Sequence, residues 1–107
     1  MIKTNKSFGE VIEALKEGKM ATRIGWNGKG LFVFMQVPSI INKDIVPKMQ
    51  SLPQSVKDEF EKRFKDPNNA QKIYYVNQLA LVDQSNTIHG WVPSVSDALA
   101  NDWEILQ

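Results

Sequence analysis

One histidine, His89, and no cysteine set narrow limits on what this 107-residue chain can catalyse. A lone imidazole with no thiol beside it cannot assemble the usual nitrogen and sulfur ligand set of zinc. A Ser-His-Asp triad needs a serine held against the histidine, and no spacing marks such a serine. His89 falls in a hairpin strand beside a turn, where a surface or structural role accounts for it. Asp97, Asp102 and Glu104 cluster towards the C-terminus and have the chemistry for acid–base work. Capping explains Asp97, however, and solvation explains the other two. No catalytic group, metal or cofactor is expected.

The run Gly25-Trp26-Asn27-Gly28-Lys29-Gly30 is the most distinctive string. It looks superficially like a phosphate loop but lacks the Gly-x-x-x-x-Gly-Lys-Ser/Thr spacing, and a strand follows it rather than a helix. Asn27-Gly28 between strands instead predicts a two-residue hairpin turn, since both residue types tolerate positive φ. That leaves Trp26 unexplained. A tryptophan on a tight turn covers something: a ligand, another subunit or the neighbouring strand. Trp91 and Trp103 are the other indoles. Each has core packing as its plain role, and stacking on a flat base, worth roughly 1–3 kcal/mol, as the functional one. Arg23, inside a strand, offers a bidentate fork for phosphate. Lys29 could reach the same phosphate, and solvation explains it equally well.

The elements around these residues follow from periodicity. Ser7 and Glu10 have capping-box spacing, and Phe8, Val11, Ile12 and Leu15 form one stripe, predicting a helix over residues 8–17 closed by Gly18. Strands are predicted for Met20–Ile24 and Leu31–Val37; the second is apolar on both faces and hence buried on both, which suggests cover from another subunit. A charged helix spans Pro53–Lys65 with the narrow stripe Leu52, Val56, Phe60 and Phe64. Asp58–Lys62, Glu59–Arg63 and Glu61–Lys65 stand in the favourable acid-first order. A strand from Ile73 to Val82, a turn at Asp83–Asn86 and a strand from Thr87 to Val92 make a hairpin. Ser94 and Asp97 cap a helix over 95–101, and Trp103–Leu106 can be a final strand. The fold class is α+β: a small antiparallel sheet with an N-terminal helix, an inserted charged helix and a short C-terminal helix.

Composition bounds the rest. Apolar residues make up 42% and charged residues 23%, which is ordinary for one globular domain. Residues 1–107 are expected to form a single ligand-binding domain with 39–72 as a helical insertion. A net charge of +1 disfavours DNA or other nucleic-acid partners, whose binding draws on a basic excess. The absence of cysteine is compatible with a reducing compartment. The polar start Met1–Lys6 is no signal peptide, and no apolar run reaches the roughly 18 residues that span a bilayer. A cytoplasmic location without membrane contact is the expectation.

The strings Phe8-Gly9-Glu10, Glu13 to Lys19, Ala21-Thr22-Arg23, the Gly25–Gly30 run, Trp91-Val92-Pro93-Ser94, Ser96 to Ala100 and Asp102-Trp103-Glu104 are specific as a set. Together they resemble the second family of Thoeris anti-defence proteins, carried by phages and prophages. The likeness covers roughly residues 7–37 and 76–106. The stretch Ser39–Lys72 stands outside it, and Ser85-Asn86 occupies a turn where glycine is expected. The resemblance implies a protein that is not an enzyme. Such proteins bind the cyclic ADP-ribose isomer (gcADPR) made by TIR-domain immune proteins and keep it from its effector. Related members are associated with cyclic oligonucleotides. It also implies homotetramers with pockets between subunits, inside the bacterial host cell. The ligand-binding residues it suggests here are Arg23, Trp26, Asn27, Gly28, Phe34, Trp91, Pro93, Ser94, Asp97, Asp102 and Trp103. The competing readings are a hydrolase or lyase acting on the same ligand, and a protein-interaction or phage structural module with no small ligand.

Overall fold

The computed structural model describes residues 2–26 and 28–107. The order of elements is β1 (Lys3–Lys6), α1 (Phe8–Lys16), β2 (Ala21–Arg23), β3 (Phe32–Gln36), β4 (Ser39–Asn42), α2 (Gln54–Phe64), β5 (Lys72–Tyr75), β6 (Gln78–Val82), β7 (Ile88–Gly90), α3 (Val95–Leu99) and β8 (Trp103–Ile105). The chain forms two compact units, one of residues 1–37 with 77–107 and one of residues 38–76. The fold is α+β, as the residue pattern predicts.

The larger unit is a six-stranded antiparallel sheet in the order β1-β8-β2-β3-β6-β7. Helix α1 starts where Ser7 and Glu10 close a reciprocal capping box and ends at Gly18, whose φ of +88° only glycine adopts without strain. Its stripe of Val11, Ala14 and Leu15 lies on one face of the sheet against Ala21, Val33, Trp103 and Ile105. Strand side chains alternate, so Phe32 and Phe34 point to the other face, next to their Cα partners Val82 and Ala80.

Three features differ from expectation in this unit. Residues 3–6 form an edge strand against β8, although Lys-Thr-Asn-Lys has no apolar face; backbone hydrogen bonds alone recruit it, with an irregular register and Asn5 at φ +55°. The first hairpin has no two-residue turn. Ile24–Trp26 coils into a 3₁₀ turn and β3 starts only at Phe32, so the link is long and looped. Lys29 N–H donates to the Trp26 carbonyl across a turn containing Gly28 at φ +63°. Asn27 lies outside the described residues. Finally, the run Ile73–Val82 breaks at Val76-Asn77 into β5 and β6, which belong to different units and different sheets.

The turn after β6 shows how glycine is replaced. Asn86 takes the left-handed conformation, φ +65°, which asparagine tolerates better than most residues. Asp83 supports it by accepting from the Ser85 and Thr87 N–H groups and the Ser85 hydroxyl.

The unit of residues 38–76 pairs β4 with β5, Ile41 opposite Ile73 and Ile40 opposite Tyr74. It buries Val46 and Ile73 and leaves Ile40 and Tyr74 exposed. Helix α2 buries no residue fully, as its narrow stripe predicts. Of the three acid-first pairs, Glu59–Arg63 forms, at 3.1 Å. This unit contains a hairpin as well as the expected helix.

Candidate functional site

The three indoles meet. Trp26 and Trp103 have ring centroids 5.2 Å apart at 78°, Trp91 and Trp103 6.1 Å at 74°, and Trp26 and Trp91 6.4 Å at 88°. Phe8 adds contacts to Trp91 at 6.0 Å and to Trp103 at 5.5 Å. Edge-to-face pairs of this kind contribute about 0.5–1.5 kcal/mol each beyond area burial. Trp103 is the hub and is wholly buried, so the stacking role suggested for it is corrected: its faces meet protein, and its Nε1–H donates to the Asp97 carbonyl at 2.9 Å. Trp26 is not a solvated turn tip. It is half-buried on the core, as is Trp91, and the two together form the outer wall of the cluster.

Arg23 ties this cluster to the rest of the unit. Its Nε donates to Asp102 Oδ1 at 2.9 Å and its Nη1 to Asp97 Oδ1 at 2.8 Å. Its guanidinium carbon lies 6.0 Å from the Trp103 ring. The second oxygen of Asp102 accepts from the Gly25 N–H at 2.8 Å, and that of Asp97 from the Ser94 N–H at 3.1 Å. Ser94 Oγ in turn accepts from the Asp97 N–H, completing the cap of α3. One carboxylate therefore caps a helix and binds a strand arginine. Arg23, Asp97 and Asp102 satisfy one another, which corrects their reading as three free ligand contacts. Arg23 Nη2 carries no hydrogen bond within the described residues and keeps its donors.

The charges are mutually reinforcing. Arg23 is held above its ordinary pKa, chiefly by Asp102 and then by Asp97. Asp102 is held below its ordinary 3.8 by the Arg23 hydrogen bond, opposed by burial and helped by the Gly25 N–H. Burial pushes Asp97 up, and hydrogen bonds from Arg23 and Ser94 outweigh it, leaving its pKa lowered. The side chains are 17%, 13% and 33% exposed for Arg23, Asp97 and Asp102. They are thus screened less than surface pairs are.

Gly25, Phe8 and an apolar rim are the residues that sequence reasoning did not assign to the site. A Cβ on Gly25 would sit 2.9 Å from Asp102 Oδ2 and 3.2 Å from Arg23 Nη2, so a side chain there displaces the latch. Val92, Val95 and Leu99 are 87%, 75% and 75% exposed. Val95 and Leu99 stand at i,i+4 on α3, a spacing that marks one helix face. Pro93 is half-buried beside Trp91 in sequence, Ser94 is exposed and serves as the cap, and Gly28 makes its turn. Phe34 is not brought to this wall, because it lies on the sheet face opposite α1. His89 pairs with Asp83 at 2.8 Å in the second turn, well removed in role from the indoles. Among the described residues no three His, Asp or Glu side chains converge as a metal set.

This indole cluster with its arginine latch is built from the very strings that carried the family likeness. Comparison with known proteins decides the matter: residues 6–106 match the Tad2-like family, the Thoeris anti-defense 2-like domain. The chain belongs to this family. It is also 33% identical over 105 residues to the Thoeris anti-defense 2 protein of Bacillus phage SP01, covering 98% of this chain and 99% of that one. Both matches run through residues 39–72, so that stretch is part of the Tad2-like domain and not outside it. Family membership makes this an anti-defence protein of the Thoeris type. No helix among the described residues of this Tad2-like chain is long and apolar enough to cross a membrane.

Proposed function

We propose that this chain is a phage anti-defence protein that binds and sequesters a cyclic nucleotide immune signal of the cyclic ADP-ribose type, without degrading it. The observation that carries this reading is the half-buried Trp26–Trp91 wall fixed by the Arg23 latch, in a member of the Tad2-like family. An adenine-bearing ligand uses an aromatic surface for its base and oriented N–H donors for its phosphates. Trp26 and Trp91 offer the first, and Arg23 Nη2 the second. Trp103, Asp97, Asp102 and Ser94 serve the site as positioning residues behind that wall.

Outcompeting a receptor requires nanomolar binding, about −12 kcal/mol. Two half-exposed indoles on one chain do not supply it. Two apolar surfaces are available for closing the pocket with further copies. One is the Val92, Val95 and Leu99 rim beside the wall. The other is the sheet face of Phe32, Phe34 and the exposed Ile88. A homotetramer with pockets between subunits uses both, and Phe34 then joins the site only as a residue of another copy. The protein acts in the cytoplasm of the host cell.

The test is mass spectrometry of protein incubated with the cyclic ADP-ribose isomer and then heated. Intact ligand at no more than one per site is expected. A cleaved product, or turnover beyond one per site, overturns sequestration in favour of an enzyme. The exposed rim also favours a second reading, a protein-interaction module. A panel of cyclic nucleotides separates the two, since ligand at 100 times its dissociation constant raises stability by about 2.7 kcal/mol. No thermal shift with any of them supports the module.

A further inference from the structure

Within residues 38–76 lies a cleft of about 540 Å³, between the turn around Val46-Pro47 and helix α2. Helix α2 presents Gln54, Lys57, Glu61 and Phe64 to it, at intervals of three and four residues that mark one helix face. Lys65 continues that face, and Lys43 and Asp44 come from the opposite side. Val46 is buried at 2% exposure, so apolar surface lies behind these charges.

Five charged groups line the cleft, and among the described residues none of them forms an ion pair. The ion pair that α2 does make, Glu59 with Arg63, involves neither side of the cleft. Glu61 and Lys65 stand in the acid-first i,i+4 order that favours pairing, yet each is left to face the cleft. Lys57 is half-buried, while the unit's other lysines, at positions 43, 48, 62, 65 and 72, are exposed. Its Nζ donates to the Pro47 carbonyl at 3.1 Å, which fixes the ammonium at the cleft and leaves its other donors unused. Lys43 Nζ is held at 3.3 Å by Gln71 Oε1. Withdrawing an ammonium from water without a counter-charge is unfavourable, so a half-buried, unpaired lysine calls for an anion from outside the chain.

We propose that this cleft is a second binding site, separate from the indole wall, for a small phosphate-bearing molecule. Lys43, Lys57 and Lys65 bind the phosphate oxygens. Asp44 and Glu61 accept hydrogen bonds from the ligand's hydroxyl or amino groups, which gives the mixed charge of the lining a use that a bare anion site lacks. The Phe64 ring supplies a flat apolar contact for a sugar or a base.

The test is an NMR titration of the isotope-labelled full-length chain with pyrophosphate, ribose 5-phosphate and AMP. Saturable shifts are expected at residues 43–47 and 54–65, with a dissociation constant of ~1 mM or tighter for at least one probe. Pyrophosphate binding as well as the others assigns recognition to phosphate alone. Tighter ribose 5-phosphate assigns a share to the carboxylates, and tighter AMP a share to Phe64. Lys57→Gln, and independently the exposed Lys43→Gln, should each weaken binding about tenfold, the loss of one charge-assisted hydrogen bond. Lys48→Gln, off the cleft, should leave it within about twofold. The proposal is overturned if no probe gives saturable shifts in these residues, or if Lys48→Gln weakens binding as much as Lys57→Gln does. AMP shifts confined to the indole wall would also overturn it while leaving the sequestration reading intact.

Discussion

The two units of this chain treat charge in opposite ways. In the larger one, Arg23 and its two carboxylates are half-buried and close on each other, with every bond between 2.8 and 2.9 Å. In the smaller one, the Arg63–Glu59 pair is more than half exposed on both sides, and the remaining charges of the cleft have no partner. The apolar core divides the same way. Val46 and Ile73 are the fully buried apolar residues of 38–76, while Val11, Leu15, Val33 and Trp103 in the larger unit are each under 2% exposed. The lesson is that one site is built by folding, its geometry set before any ligand arrives. The other has charges that folding leaves unsatisfied.

Substitutions can break this contrast. Trp103→Ala should be the most damaging, costing about 3–5 kcal/mol, because it empties the centre of the aromatic cluster; urea unfolding followed by tryptophan fluorescence measures it. A loss under about 1 kcal/mol would show that the hub does not hold the core. Arg23→Met comes next, at about 3 kcal/mol, since it leaves Asp97 charged in a mostly buried place. The same variant has a pH signature. Asp97 and Asp102 have folded pKa values below their ordinary 3.8. The unfolded chain therefore takes up protons first, and their stabilisation is present above pH ~4 and disappears as pH falls below it. Asp83 and Glu10 are lowered too, at exposed positions, and act in the same direction. Acid titration of Arg23→Met should accordingly be shallower than that of the parent; an unchanged slope would mean the latch does not couple to the carboxylates.

Gly25→Ala sharpens the comparison at about 2 kcal/mol, because its methyl group overlaps Asp102 Oδ2. Ligand binding should fall along with stability, and thermal melts with and without nucleotide separate the two. Arg63→Ala, in the smaller unit, should change stability by less than about 0.5 kcal/mol. A larger effect in denaturant unfolding would erase the distinction between the units.

Local signals in the sequence carried far, and long-range ones did not. Both capping boxes, Ser7 with Glu10 and Ser94 with Asp97, are stated within four residues and appear as read. So does the left-handed Gly18. The latch spans 74 and 79 residues of chain, and no local pattern pairs Arg23 with Asp97 or Asp102. A charged residue in mid-strand signals only that some partner exists. Strand β1 escaped notice because an edge strand held by its backbone needs no apolar alternation. The break at Val76-Asn77 escaped because both flanking runs are β-formers, and only the sheets show that they part company. Trp26 was legible as an anomaly, while its neighbours Trp91 and Trp103 are brought to it by the fold alone.

The place of β8 has a consequence in time. It lies between β1 and β2, the first two strands of the chain, and pairs with both. During synthesis, β1 and β2 leave the ribosome with a gap between them that waits for nearly the whole polypeptide. Pairing across such sequence distances is slow relative to local structure. The sheet, the buried Trp103 and the Arg23 latch are therefore completed together in one late event, and a ribosome still translating residue 100 carries none of them.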